Sequence, residues 1–265
     1  MSVSSTDYST FDRPEILNVL FHPRQDFSYP VQDERSMDVL FDVPGGVRIG
    51  SKFHAAGKQD PVILFFHGNG EIVSDYDDLG PLFAGMGIGF FAFDYRGYGR
   101  STGSPTVSSM MTDSHVLFDS ALAFLKAKGF TGKIIVMGRS LGSAPALELA
   151  SARNNSIDGL IIESGFAFII PLLELLGLTA LMPGVNEENG PGNGEKIKNF
   201  NKPTLVIHAQ YDHIIPFSDG QTLYQQSRAS DKTLLEIKGA DHNNIFTIGF
   251  NEYMGAVQAL AGKLR

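Results

Sequence analysis

Short, nearly unbroken runs of apolar residues recur along the chain: Val62 to Phe66, Ile88 to Phe93, Ile134 to Met137, Leu160 to Ile162, Thr204 to Ile207 and Leu234 to Ile237. Strands of this kind are buried on both faces, the mark of a parallel sheet between two helical layers. Ahead of them, Met37 to Val43 and Val47 to His54 flank Pro44-Gly45-Gly46, and Val47, Ile49 and Phe53 alternate with polar neighbours. That pattern predicts an opening antiparallel hairpin. Leu117, Ala121, Phe124 and Leu125 follow helical spacing, with Gly129 as the stop. The fold class expected from this alternation is α/β.

Two stretches break the alternation. Residues 1–35 are polar and punctuated by Pro14, Pro23 and Pro30, and they read as an N-terminal arm lying over the body. Phe166 to Met182 is strongly apolar, and Gly184 to Gly194 is rich in glycine and asparagine. No core strand fits there, so residues 165–198 read as a cap insertion followed by a flexible loop, where active-site lids are commonly found. A helix pair packed on the core is the plainer alternative. Neither repeats nor a linker divide the chain, which is expected to be a single domain over residues 1–265.

Composition narrows the function classes. The formal charge of −8 argues against a nucleic-acid partner held by a basic surface. With no cysteine, disulfides, thiolate metal sites and cysteine nucleophiles are excluded together. The first residues show no signal-peptide pattern, and no long uninterrupted apolar window predicts stable membrane insertion. A cytoplasmic protein is the expectation.

The chemistry centres on Gly138-Arg139-Ser140-Leu141-Gly142, set between an apolar run and a helix-forming segment in which Pro145 falls near the first turn. A Gly-x-Ser-x-Gly turn between strand and helix presents a serine as nucleophile, and side chains at 138 and 142 would collide with neighbouring strand and helix. Serine needs a base within hydrogen-bond reach, usually histidine, oriented by a carboxylate. His242 follows the last apolar run in Gly239-Ala240-Asp241-His242 and is the candidate base. His208 and His67 read as packed or loop-shaping, His213 as pointing elsewhere, and His22, His54 and His115 as residues of the arm, hairpin and a helix. Asp212, just past Thr204 to Ile207, is the candidate acid; Glu163, ending Leu160 to Ile162, is the alternative, and Asp241 reads as a turn residue. Backbone N–H groups of Leu141 and Asn69 are the expected oxyanion donors. Gly68, Gly70 and Phe166 are expected to border the substrate. Asp94-Tyr95-Arg96-Gly97-Tyr98-Gly99-Arg100-Ser101 lacks the order of a phosphate loop and reads as a structural loop under the nucleophile turn. Glu71, Asp75, Asp77 and Asp78 read as first-turn carboxylates of a helix rather than a metal site.

In this order, the His67-Gly68-Asn69-Gly70 loop, the Asp94 to Ser101 loop, Gly138 to Gly142, Glu163-Ser164-Gly165-Phe166, Asp212 with Pro216, and Gly239 to His242 resemble the α/β-hydrolase superfamily. They are most similar to its small single-domain members, the serine aminopeptidase-like proteins and the acyl-protein thioesterases. The resemblance implies an α/β-hydrolase fold, an eight-stranded mostly parallel sheet with helices on both faces, and a Ser140–His242–Asp212 triad with no metal or organic cofactor. Gly184 to Gly194 departs from it in length and glycine content. The implied function is hydrolysis of a small-molecule ester, thioester or acylated substrate carrying an apolar acyl group, through an acyl-enzyme. A peptidase of the same fold, a non-catalytic binding protein on it, and a peripheral membrane protein using Phe166 to Met182 stay open, and the sequence gives no oligomeric state.

Overall fold

The computed structural model of the chain describes residues 6–28, 35–178 and 183–265. Residues 1–5 and 29–34 of the expected arm and 179–182 of the expected cap lie outside them. The strands are β1 Ser36–Val43, β2 Val47–His54, β3 Val62–Phe66, β4 Gly89–Phe93, β5 Ile134–Arg139, β6 Gly159–Glu163, β7 Thr204–Ala209 and β8 Lys232–Ile237. They form one eight-stranded sheet in the order β1-β2-β4-β3-β5-β6-β7-β8. β2 pairs antiparallel with both β1 and β4, and every other pairing is parallel.

The unbroken apolar strands are buried on both sides because the sheet is covered twice. Val62, Leu64 and Phe66 join one core, and Ile63 and Phe65 the other. The first core takes α1 (Pro14–Leu20), α3 (Val107–Ala127), α4 (Ser143–Ala152), α5 (Ile169–Leu175), α6 (Asn193–Ile197) and α7 (Phe217–Gln226); the second takes α2 (Leu79–Gly85), α8 (Ile245–Ile248) and α9 (Phe250–Gly262).

α3 begins ten residues before the apolar spacing that announced it. Its start is a reciprocal cap: Thr106 Oγ1 accepts the Ser109 N–H and Ser109 Oγ accepts the Thr106 N–H, both at 2.9 Å. The described part of the arm is woven into the core, with Tyr8, Phe11, Ile16, Leu20 and Phe21 buried. The glycine-rich stretch is likewise tied down, as Glu187 accepts the N–H groups of Ile169 (3.1 Å) and Ile170 (2.7 Å) at the open N-terminus of α5. Gly190 packs so closely on Ile169 that a Cβ there would stand 2.7 Å from its Cγ2.

Within the acidic group before α2 only Asp75 takes the expected first-turn role, in the short 3-10 helix Val73–Tyr76, and the other carboxylates have separate tasks. Asp75 accepts the Ile72 N–H and pairs with Arg24, while Asp77 pairs with Lys52. Asp78 occupies the N-cap position of α2 without a side-chain cap bond, and Glu71 turns toward Arg139. No group of acidic and histidine side chains suited to a metal ion occurs among the described residues. Nor is any described helix long and apolar enough to cross a membrane.

Candidate active site

The C-terminal ends of β3, β5, β7 and β8 point to one edge of the sheet, which is where open α/β sheets build their sites. Ser140 follows β5 at a sharp turn with φ +51°, a conformation that costs a non-glycine residue energy and is held by its surroundings. The flanking glycines permit the turn. A Cβ on Gly138 would lie 2.1 Å from the Gly142 carbonyl oxygen, and one on Gly142 would lie 2.0 Å from that of Phe66 in β3. Pro145 is the third residue of α4, within the first turn, where its missing N–H costs nothing.

Ser140, His242 and Asp212 come together although their loops are far apart in sequence. Ser140 Oγ lies 3.0 Å from His242 Nε2, and His242 Nδ1 lies 2.7 Å from Asp212 Oδ2. Asp212 Oδ1 accepts the N–H groups of Ile214 (3.0 Å) and Ile215 (2.8 Å), which fixes its other oxygen toward the ring. Burial works to raise the Asp212 carboxyl, but the His242 hydrogen bond and charge and the Ile215 N–H hold it below the ordinary aspartate value. It is therefore an anion at neutral pH, as an imidazole-orienting group must be.

The other histidines stay clear of the space over Ser140, with one exception. His208 is fully buried, 2.8 Å from the Ile215 carbonyl oxygen, and burial lowers its pKa so that it stays neutral beside Asp212. His67 is buried against Tyr95 and Tyr98, its Nδ1 2.8 Å from the Gly68 carbonyl oxygen. His213 is exposed. His22 is the exception: its N–H donates to Asn69 Oδ1 and its Nδ1 accepts from Asn69 Nδ2, both at 2.8 Å. Tyr98 O–H also donates to Asn69 Oδ1 at 2.9 Å. The Asp94 to Ser101 loop thus braces the loop after β3, because Tyr95 O–H donates to the His67 carbonyl as well.

This leaves the expected oxyanion donors uncommitted. The Gly68 N–H is taken by Glu71 Oε2 at 2.6 Å. No hydrogen bond among the described residues uses the N–H of Asn69 or of Leu141.

A cavity of about 210 Å³ opens over Ser140, bordered by Gly68, Asn69, Leu141 and His242. Its apolar wall is Val19, Leu20, Leu172, Leu176, Ile214 and Ile215. Two of the residues expected to border substrate stand elsewhere. Phe166 is 1% exposed and packed in the core, its carbonyl held by Asn193 Nδ2, and Gly70 lies outside the lining. Sequence reading missed the contribution of α1 through Val19 and Leu20 and of His22 just beyond it. The i, i+4 pair Ile16 and Leu20 after Pro14 was the available signal. A second cavity, of about 400 Å³, shares Glu71, Arg139 and Asn243 with the first.

Arg139, the residue before Ser140, and Glu163, the alternative acid, belong together. They are cross-strand neighbours at the ends of β5 and β6, and Arg139 Nη1 donates to Glu163 Oε1 at 3.0 Å. Arg139 also pairs with Glu71. Burial opposes the charge on both, yet Glu163 and Glu71 hold the guanidinium protonated and Arg139 holds the Glu71 carboxyl below its usual value. Glu163, engaged this way, does not touch His242, which leaves Asp212 as the carboxylate on the imidazole.

Residues 57–184 match a model of the family described as serine aminopeptidase, S33. The chain is 32% identical over 195 residues to the alpha/beta hydrolase domain-containing protein aho-3 of Caenorhabditis elegans, covering 69% of this chain and 52% of that protein. It is 33% identical over 181 residues to the lysophosphatidylserine lipase ABHD12 of Xenopus tropicalis, covering 62% and 46%. It therefore spans about half the length of these two relatives. Its fold superposes on a soluble variant of the monoglyceride lipase of Saccharomyces cerevisiae with a TM-score of 0.69, at 20% identity, over 89% of this chain and 97% of that one. The sheet order, the serine turn and these likenesses agree, and the chain is a member of the α/β-hydrolase superfamily.

Proposed function

We propose that the protein is a serine hydrolase that cleaves an ester or thioester with an apolar acyl group. The observation that carries this reading is the hydrogen-bonded line from Ser140 through His242 to Asp212 at the floor of an apolar cavity. His242 Nε2 takes the Ser140 proton as Oγ adds to the substrate carbonyl carbon, and Asp212 stabilises the imidazolium without taking its proton. The oxyanion is received by the Leu141 and Asn69 N–H groups, each such donor worth about 2.7–4 kcal/mol of transition-state stabilisation. The tetrahedral adduct collapses as His242 returns the proton to the leaving oxygen or sulfur. Water, deprotonated by His242, then attacks the acyl-enzyme, and its collapse frees the acid and restores Ser140.

The acyl chain occupies the pocket walled by Leu20, Leu172, Leu176 and Ile215, and the cavity beyond Arg139 gives room to the leaving group. α5 and the residues around it, within 165–198, act as the cap. The lipase relative and the lipase neighbour support ester chemistry. The aminopeptidase family match favours a second reading, in which the bond cleaved is an amide of a small peptide. A series of p-nitrophenyl esters from acetate to palmitate, acyl thioesters of the same lengths and an aminoacyl amide, each run beside Ser140→Ala, tests both. Rates that rise to octanoate or beyond and vanish in Ser140→Ala are expected. Equal or greater activity on acetate removes the apolar acyl assignment, and a preference for the amide transfers the reaction to the second reading.

A further inference from the structure

The residue directly before the nucleophile reaches both the oxyanion loop and the base loop that the proposed reaction uses. We infer that Arg139 is a positioning residue whose guanidinium holds the serine turn, the base loop and the oxyanion loop in register. The inference rests on the serine-hydrolase reading above. Nε donates to Glu71 Oε1 at 2.7 Å, Nη1 to Glu163 Oε1 at 3.0 Å and Nη2 to the His242 carbonyl oxygen at 3.1 Å. Glu71 follows β3, Glu163 ends β6 and His242 follows β8, while Arg139 itself ends β5.

Each acceptor passes the constraint onward. Glu71 Oε2 accepts the Gly68 N–H and the Tyr76 hydroxyl, both at 2.6 Å, so the arginine reaches the backbone beside Asn69 in two steps. Glu163 Oε2 accepts the Tyr253 hydroxyl at 2.6 Å, which anchors the network to α9. The third contact lies on the backbone of His242 itself, one residue's length from the imidazole. The arginine side chain is 12% exposed and those of Glu71 and Glu163 are 23% and 6% exposed, so the charges sit where hydrogen bonds set direction.

The geometry calls for arginine in particular. A planar fork can donate in three fixed directions, whereas a lysine ammonium is a point charge at the end of a flexible stem. Lysine at 139 keeps a positive charge between the two carboxylates and loses the simultaneous reach to the His242 carbonyl. Charge therefore governs stability at this position, and fork geometry governs alignment of the triad.

Arg139→Lys and Arg139→Met separate the two, measured for kcat and KM on p-nitrophenyl octanoate and normalised to the folded fraction from a thermal melt. Expected is a kcat about 100-fold below wild type in both, the size of loss that follows misplacement of reacting groups by about 1 Å. KM is expected to stay within about twofold, and Arg139→Lys to melt close to wild type. Wild-type kcat per folded molecule in Arg139→Lys overturns the assignment, as does a raised KM at unchanged kcat, which makes the arginine a substrate contact. An inactive wild type whose Ser140 is not labelled by a fluorophosphonate overturns the hydrolase reading, and this assignment with it.

Discussion

At the scale of single residues, the site is set by what is missing as much as by what is present. Ser140 holds φ +51° because Gly138 and Gly142 let a strand, a helix and a loop close on the turn. A methyl group on Gly142 would meet two backbone oxygens, those of Phe66 (2.0 Å) and His67 (2.7 Å), and backbone atoms in a central strand have little room to give. Gly142→Ala is therefore expected to lower the unfolding free energy by about 3 kcal/mol, the upper range for overpacking. A urea midpoint that matches wild type would contradict the close approach. Of the residues here, Ser140, Asp212 and His242 could be read in advance, since each follows an apolar run that had to be a buried strand. Arg139 and Glu71 could not. Their meaning depends on parallel register, which brings the end of β5 beside the end of β6, and on a loop that folds back from β3.

At the scale of elements, the strands were legible because burial on both faces leaves no polar position to blur the pattern. The start of α3 and the elements between α5 and α6 were less so, because side-chain caps rather than apolar spacing define them, whereas Gly129 (φ +78°) marks the end of α3 as expected. Helix docking around α4 likewise depends on a buried polar cluster. Glu148 of α4 is 3% exposed and lies 3.2 Å from His115 Nε2 of α3 and 2.5 Å from Lys196 Nζ of α6, while accepting the Tyr8 hydroxyl at 3.0 Å. Burial opposes ionisation of Glu148, yet the His115 and Lys196 hydrogen bonds and charge hold its pKa down to about 2 from 4.5. A carboxyl whose pKa falls on folding stabilises fully above its unfolded value and loses that contribution as pH drops toward the folded one. The shift corresponds to roughly 3 kcal/mol. Glu148→Gln is expected to be less stable than wild type by about this amount at pH 6, with the gap closing as pH falls from about 4.5 toward 2. Urea denaturation of both proteins across that window checks it, and a gap independent of pH contradicts it.

At the scale of the whole molecule, a mostly parallel sheet carries the four loops of the candidate site to one edge, and the elements packed beside that edge form the pocket walls. α1 supplies Val19 and Leu20, and α5 supplies Leu172 with Leu176 just beyond it. Long separations in sequence thereby become hydrogen-bond distances: 102 positions divide Ser140 from His242, and 3.0 Å divides Oγ from Nε2. The proposed chemistry turns on the pairing of that hydroxyl with that imidazole. Mass analysis of the protein after reaction with a fluorophosphonate, followed by peptide mapping and repeated on Ser140→Ala and His242→Ala, tests it most directly. One adduct is expected, on Ser140, absent from the first variant and formed on the order of 10³-fold or more slowly in the second. An adduct on another residue, no adduct at all, or an undiminished rate in His242→Ala would contradict it.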